Sequence, residues 1–188
     1  MAEPLVSVGI PTYNRAAKLA RAAESVLAQT HREVELVISD NASSDGTEAF
    51  CRQLCERDQR VRYLRSAVNR GPTANFNALF GELRGDYVML LSDDDWLDEE
   101  YVAVCLAELR RRPDLVLACG RARYFRDAAP AGEGVQLQLE QDSPSRRVRT
   151  YLRDVDENGV FYGLMPRAVL HRAAPLRNVV GNDWLLAA

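Results

Sequence analysis

The chain has 188 residues, of which 47% are hydrophobic and 27% charged, and its formal net charge is −3. This composition is typical of a soluble globular protein with one sizeable core, and the mild acidity argues against nucleic-acid binding as the main role. No apolar run approaches the roughly 20 residues of a transmembrane helix, and no basic region precedes the first apolar run, so we predict neither a membrane span nor a signal peptide. We therefore expect a cytoplasmic protein.

Strand-like and helix-like segments alternate along the first 120 residues. Short apolar runs rich in β-branched residues predict five strands, at 5–10, 34–39, 61–64, 87–91 and 115–120. Apolar residues at helical spacing predict the helices between and after them, at 15–29, 47–57, 74–84 and 98–112. This alternation favours an α/β fold with a mainly parallel central sheet and helices on both faces.

The pattern loosens in the last third of the chain. Residues 126–145 are rich in glycine, proline and small polar residues, which predicts a loop. An apolar run at 160–166 predicts one more strand, and the sequence RAVLHRAA after it predicts a short helix. The sequence stops at GNDWLLAA, within the first turns of a predicted helix, so we expect one domain that is incomplete at its C-terminus.

Polar residues follow three of the predicted strands directly. PTYNR comes after the first strand, DNASSDG after the second and SDDDW after the fourth. Because ligands of open α/β sheets collect at the carboxyl ends of the strands, we expect these three loops to open onto one binding site.

Three consecutive aspartates, Asp93, Asp94 and Asp95, end the fourth predicted strand. Carboxylates without histidine or cysteine nearby suit a hard cation such as Mg²⁺ or Mn²⁺. Such an ion usually takes only one or two protein carboxylates, because phosphates and water supply the other ligands. A solvated acidic loop is the alternative, and we accept it for residues 98–100 but not for the triplet, which lies at the expected ligand edge.

Asp40 and the PTYNR turn offer further polar groups at this edge. Ser43 or Asp45 is expected to cap the helix that follows, which leaves Asp40 as a spare carboxylate able to accept a hydrogen bond from a base or a ribose. A plain turn does not account for Tyr13 and Arg15, which add an aromatic face and a cation. The chain has no glycine-rich phosphate loop, so metal and side chains would have to hold a phosphate.

Five segments resemble, in their order and spacing, the motifs of family 2 glycosyltransferases: VSVGIPTYNR, VELVISDNASSDGT, NRGPTANFNAL, GDYVMLLSDDDWLDEEYV and FYGLMPRAVL. The resemblance implies a GT-A fold, the Rossmann-like fold of nucleotide-diphospho-sugar transferases. It further implies a single domain over 1–188, with a nucleotide-binding part at 1–125 and an acceptor-side part at 126–188.

The resemblance also implies a role for individual residues. Nucleotide-sugar binding would fall to Pro11, Thr12, Tyr13, Arg15, Asp40, Asn41, Arg70, Asn77 and Asp93. Asp94 and Asp95 correspond to the acidic motif that holds Mn²⁺ or Mg²⁺, and Asp183 corresponds to the catalytic base at the start of a late helix. The sequence departs from the family pattern at Asn182, where a glutamate is usual, and at Phe76, where many relatives have an arginine.

The implied reaction is an inverting transfer of a sugar from a UDP- or dTDP-sugar to a hydroxyl. The acceptor would be a polysaccharide, a lipid-linked or cell-surface glycan or a small molecule, and a lipid-linked acceptor would draw a cytoplasmic enzyme to the inner face of the membrane as a peripheral protein. One alternative is a sugar-nucleotide pyrophosphorylase, although PTYNR stands where those enzymes have a glycine-rich basic signature. The other is a truncated nucleotide-sugar-binding module without activity.

Overall fold

The structure is a computed structural model, and it describes residues 2–135, 138–154 and 159–177. Within these ranges, seven strands form a five-stranded sheet and a separate hairpin: β1 (Val6–Thr12), β2 (Val34–Asp40), β3 (Val61–Arg65), β4 (Tyr87–Leu90), β5 (Arg123–Arg126), β6 (Ala129–Glu133) and β7 (Met165–Pro166). Six α-helices in the same ranges accompany them: α1 (Ala16–Leu27), α2 (Thr47–Arg57), α3 (Pro72–Phe80), α4 (Tyr101–Arg111), α5 (Pro144–Asp154) and α6 (Arg167–Ala173). No helix within the described ranges is long and apolar enough to cross a membrane.

The large sheet has the strand order β3-β2-β1-β4-β7, and only β7 runs antiparallel to its neighbour. The parallel register places Thr12 of β1 beside Asp40 of β2, and Gly9 of β1 beside Leu90 of β4. The segments that follow β1, β2 and β4 therefore leave the sheet at one edge. The predicted convergence of the three polar loops is confirmed.

Helices cover both faces of the sheet, as predicted. They pack against its strands through two apolar clusters, one on each face. One cluster joins β1 and β2 to α1, α2 and α4, and it includes Leu19 and Val26 at helical spacing. The other joins β2 and β4 to α3 and α6, and it includes Leu79 and Leu170. Each fully buried side chain of this size contributes about 1.5–3 kcal/mol through its transfer from water.

The fifth predicted strand, 115–120, does not form. Its backbone pairs with another strand-like segment at one point only, a bridge between Ala118 and Leu164, and Val116 is exposed. The edge of β4 that such a strand would need is occupied by β7. The prediction of a strand over 160–166 is also wrong in extent, because Gly159–Tyr162 forms a 3-10 helix and β7 has two residues.

The predicted loop over 126–145 contains part of an exposed hairpin, formed by β5 and β6. Asp127 and Ala128 form its turn, and both have positive φ angles, 49° and 65°. Two consecutive left-handed residues are the geometry of the tight turns that match the twist of paired strands. The hairpin escaped prediction because its residues show no alternation of apolar and polar side chains.

Gly85 lies at the opposite edge of the sheet, where it admits no side chain. Its N–H donates to Ser7 Oγ at 2.6 Å, and Ser7 in turn donates to the buried carboxylate of Glu35. A Cβ at Gly85 would lie 2.6 Å from the amide nitrogen of Ser7 and 2.7 Å from the carbonyl oxygens of Leu5 and Tyr87. These are backbone atoms of paired strands, so they cannot rotate away.

We expect Gly85→Ala to lower the free energy of unfolding by about 3 kcal/mol, the upper range for overpacking a tight site. Thermal and urea unfolding followed by circular dichroism measure the change. Gly81→Ala is the matched control, because its Cβ would meet only the carbonyl oxygen of Ala78 at 3.7 Å, an ordinary contact. Equal stability of the two variants would contradict the steric explanation.

Candidate functional site

The aspartates that follow β4 lie in different environments. Asp93 is 6% exposed and accepts hydrogen bonds from the hydroxyl of Thr12 at 2.7 Å and from the guanidinium of Arg15 at 3.4 Å. Asp94 is exposed and pairs with Arg15 at 2.7 Å and with Lys18 at 3.3 Å. Arg15, which directly precedes α1, and Lys18 of α1 thus relieve the repulsion within the acidic triplet. Lys18 was not predicted, although it follows Arg15 by one helical turn.

Neighbouring pKa values shift in opposite directions here. Burial raises the pKa of Asp93 and outweighs the hydrogen bond from Thr12, which lowers it. For Asp94, burial also raises the pKa, but hydrogen bonds from Ser92 and Lys18, together with nearby positive charge, leave it below its ordinary value. Asp94 is therefore the more readily ionised carboxylate of the two.

Asp40 is fully buried, and its carboxylate accepts hydrogen bonds from neighbouring groups of the protein. Its Oδ1 accepts the backbone N–H of Ser43 at 2.8 Å, and its Oδ2 accepts the hydroxyl of Tyr63 at 2.6 Å and lies 3.5 Å from the Nε of Arg65. The interpretation of Asp40 as a spare carboxylate is therefore wrong, and its contact with a base stays a prediction. Burial and the hydrogen bond to Asp40 raise the pKa of Tyr63.

Asp45 connects the starts of two helices. Its Oδ1 accepts the backbone N–H and the hydroxyl of Thr47, in the first turn of α2. Its Oδ2 accepts the N–H of Ala16, at the start of α1. The N-cap residue of α2 is Gly46, so neither of the two predicted caps occupies that position; Asp45 contacts the first turn from one residue further out, and the hydroxyl of Ser43 accepts the N–H of Asn14. The loops after β1 and β2 are held together at their bases.

Asn41 holds the loop before α3 against the end of β2. Its side-chain oxygen accepts the backbone N–H of Arg70 at 2.9 Å, and its amide donates to the side chain of Asn69 at 2.9 Å. This arrangement brings residues 69–71 to the same edge as Asp40 and leaves the Arg70 guanidinium without a partner among the described residues. Tyr13 exposes 45% of its surface beside these loops, and Pro11 precedes it at the end of β1.

Asn77 lies in α3, where it contacts the segment that follows α6 and not the loops after β1, β2 and β4. Its side-chain amide makes two hydrogen bonds with the backbone of Leu176, at 2.7 and 3.0 Å, so it holds the segment after α6 against α3. Its contact with a nucleotide stays a prediction. Phe76 packs edge-on against Phe161, with ring centroids 5.6 Å apart, so an aromatic ring takes the place of the arginine that many relatives carry.

A cavity of about 540 Å³ opens beside Asp95, between the acidic loop and the residues that follow α4. Its described lining is rich in aromatic side chains: Phe76, Trp96, Tyr101, Tyr124, Phe125, Phe161 and Tyr162. Arg21 lies over the ring of Trp96, 3.2 Å from its centroid, and Phe125 of β5 contacts the same indole at 5.2 Å. No single periodic pattern in the sequence indicates this lining, because its residues come from α3, the acidic loop, α4, the hairpin and the 3-10 helix.

Only a few of the described side chains at this edge could bind a divalent metal ion. Within 2–135, 138–154 and 159–177, no group of three or more His, Cys, Asp or Glu side chains could hold an ion by itself. Asp94 and Asp95 are exposed hard-oxygen donors at the loop edge, and Asp95 lines the cavity. This donor set fits Mg²⁺ or Mn²⁺ bound through one or two carboxylates with phosphate and water, and it does not fit a preformed protein cage. Asp183, the predicted base, and Asn182 beside it lie outside the described residues.

Known proteins resemble this chain in sequence. A glucosyltransferase from Campylobacter jejuni, named GalNAc(5)-diNAcBac-PP-undecaprenol beta-1,3-glucosyltransferase, is 36% identical over 97% of this chain and 58% of its own length. The abequosyltransferase RfbV of Salmonella typhimurium is 36% identical over 88% of this chain and 46% of its own. The chain thus spans 58% or less of the length of these two relatives.

Solved structures resemble it in fold. The mannosyltransferase PcManGT from Pyrobaculum calidifontis, in complex with GDP-Man and Mn²⁺, superposes on 98% of this chain and 50% of its own, with a TM-score of 0.70 at 20% identity. S. aureus TarS 1–349 in complex with UDP covers 97% of this chain and 54% of its own, with a TM-score of 0.71 at 17% identity. The fold is therefore GT-A. The family model described as Glycosyl transferase family 2 matches residues 7–173, and the chain belongs to this family.

Proposed function

We propose that the chain binds a nucleoside-diphosphate sugar at the edge formed by β1, β2 and β4, and that it transfers the sugar to a hydroxyl acceptor with inversion. The observation that carries the proposal is the pairing of Asp93 and Asp94 with Arg15 and Lys18. Both carboxylates belong to the aspartate triplet, whereas Arg15 ends PTYNR and Lys18 lies in the first turn of α1. UDP-sugars come first among the donors and dTDP-sugars second.

When a metal ion and a diphosphate bind, the charged side chains of this cluster can exchange their present partners for these ligands, so that no charge is left without a partner. A diphosphate would take the cations of Arg15 and Lys18, and a divalent cation would take the carboxylate of Asp94. The pairs between these side chains are exposed, so their net contribution is small, about 0–1 kcal/mol each, and breaking them costs little. The cluster thereby forms both halves of a metal-diphosphate site from residues that already neutralise one another.

Asp94 and Asp95 would hold Mn²⁺ or Mg²⁺ in this proposal. The ion would stabilise the negative charge that develops on the leaving nucleoside diphosphate. Asp93 is buried and held by Thr12, so its part is to orient the loop and to accept a hydrogen bond from the ribose. The aromatic cavity beside Asp95 offers room for the transferred sugar and its acceptor.

The relatives support these assignments by what their names record. PcManGT was solved with GDP-Man and Mn²⁺, and TarS with UDP. The Campylobacter relative is named for an undecaprenol-linked glycan substrate. We infer a lipid-linked glycan as the acceptor class, met by the enzyme in the cytoplasm at the inner face of the membrane.

Nucleoside-diphosphate binding tests the proposal most directly. We expect UDP or dTDP at 100 times its dissociation constant to stabilise the fold by about 2.7 kcal/mol when Mn²⁺ is present. Uridine without phosphates should give no stabilisation, since it has nothing to offer Arg15 and Lys18. Thermal unfolding with and without Mn²⁺ measures the shifts. Absence of a metal-dependent shift with every nucleoside diphosphate, or release of pyrophosphate from a nucleoside triphosphate and a sugar-1-phosphate, would contradict the proposal.

A further inference from the structure

Helix α5 carries a concentration of positive charge in an acidic protein. Its eleven residues, PSRRVRTYLRD, contain four arginines and one aspartate, whereas the whole chain has a net charge of −3. The site described above makes no use of this helix, which lies far from PTYNR and the acidic triplet in sequence.

The burial of its residues orients the helix. Tyr151 is fully buried, and Val148 is half-buried one turn before it, so this side faces the protein. Arg146, Arg149 and Arg153 are exposed and follow one another at spacings of three and four residues, which places them on one face of a helix. We call Arg146, Arg149 and Arg153 the basic face.

Two side chains of the basic face have no partner among the residues that the structure describes. Arg153 pairs with Asp154, but no hydrogen bond or ion pair engages the guanidinium of Arg146 or Arg149 within the described ranges. By contrast, Arg52 of α2 pairs with Glu48 and Arg111 of α4 pairs with Glu108, each within its own helix. The basic face therefore presents uncompensated charge to an external partner.

Leu152 indicates the kind of partner. It is 60% exposed and lies three residues after Arg149, so it borders the basic face. A lipid surface offers anionic headgroups to the arginines and an apolar boundary to the leucine, whereas the phosphates of a nucleic acid offer nothing to a leucine. We propose that α5 docks the protein onto anionic phospholipid headgroups, with the helix axis parallel to the membrane surface.

Sedimentation with vesicles tests this docking. We expect the protein to bind vesicles that mix phosphatidylglycerol with phosphatidylcholine, to ignore pure phosphatidylcholine and to dissociate at high ionic strength. Each arginine near an anionic surface is worth about a fivefold change in binding, so Arg146→Gln with Arg149→Gln should weaken binding by about 30-fold. Leu152→Ser should weaken it by a few fold without changing the salt dependence.

A matched control variant distinguishes the effect of the basic face from the effect of net charge alone. Arg32→Gln with Arg57→Gln removes the same charge from exposed positions outside α5 and should leave vesicle binding unchanged. The Mn²⁺-dependent shift with UDP should be the same in the α5 variants and the wild type, since it reports the donor site alone. Failure of the wild type to bind anionic vesicles, equal loss in both double variants, or tighter binding to duplex DNA that Leu152→Ser leaves unchanged would each overturn the proposal.

Discussion

Replacing Asp94 and Asp95 together by alanine is expected to abolish Mn²⁺-dependent donor binding and to lower the rate of transfer by about 10³-fold. The metal would lose both of its protein ligands, and the leaving diphosphate would lose the charge that stabilises it. Lys18 would meanwhile lose its carboxylate partner and Arg15 would keep only the longer pair with Asp93 at 3.4 Å, so both cations could contact the diphosphate more readily. We therefore also expect UDP without metal to bind the variant at least as tightly as it binds the wild type.

Calorimetry with UDP, with and without Mn²⁺, separates these two effects. The matched control is Glu99→Ala with Glu100→Ala, which removes two exposed carboxylates a few residues further along the same loop. That control should retain the metal-dependent gain in affinity. If Mn²⁺ strengthens UDP binding in the Asp94 and Asp95 variant as it does in the wild type, these residues are not the metal ligands.

Replacing Asp183 by asparagine should leave donor binding intact and lower the rate of transfer by about 10²–10⁴-fold. Asparagine keeps the size of the side chain but cannot take a proton from the acceptor hydroxyl. The proposed donor site is built from the loops after β1, β2 and β4, so we expect the UDP affinity and the Mn²⁺ dependence to be unchanged. Loss of donor binding together with transfer would instead indicate a structural role.

The rate is measured as sugar transfer to a polyprenyl-diphosphate-linked glycan, with turnover and donor KM determined separately. Asp142→Asn serves as the control, since it makes the same chemical change at an exposed position outside the proposed site. Retained turnover in Asp183→Asn would remove this residue from the role of base.

Four strands and five helices, α6 among them, were predictable because apolar residues mark each kind of element by their spacing. Parallel strands covered on both faces are continuous apolar runs, and β1, β2, β3 and β4 match their predicted runs within about two residues. The run at 115–120 has the same composition, yet it forms no strand. Strand formation depends on a free neighbouring edge as well as on sequence, and β7 occupies that edge of β4.

The meeting of the three polar loops at one edge was predictable, but the contacts among their side chains were not. The convergence of PTYNR, DNASSDG and SDDDW follows from the topology of a parallel sheet. The pairing of Asp40 with Tyr63 joins side chains 23 residues apart, and that of Thr12 with Asp93 joins side chains 81 residues apart. Such contacts depend on the relative placement of strand ends in three dimensions, which composition and periodicity do not encode.

Because β7 lies at the edge of the sheet, the arrangement of β1, β2 and β4 does not depend on it. The registers of β1, β2 and β4 are set among themselves, and β7 adds only two residue pairs, Tyr87 with Pro166 and Val88 with Met165. An insertion after α4 therefore leaves the positions of Thr12, Asp40 and Asp93 unchanged. If the donor binds at the proposed edge, such a chain could exchange the segment after α4 and meet another acceptor while it keeps the same donor site.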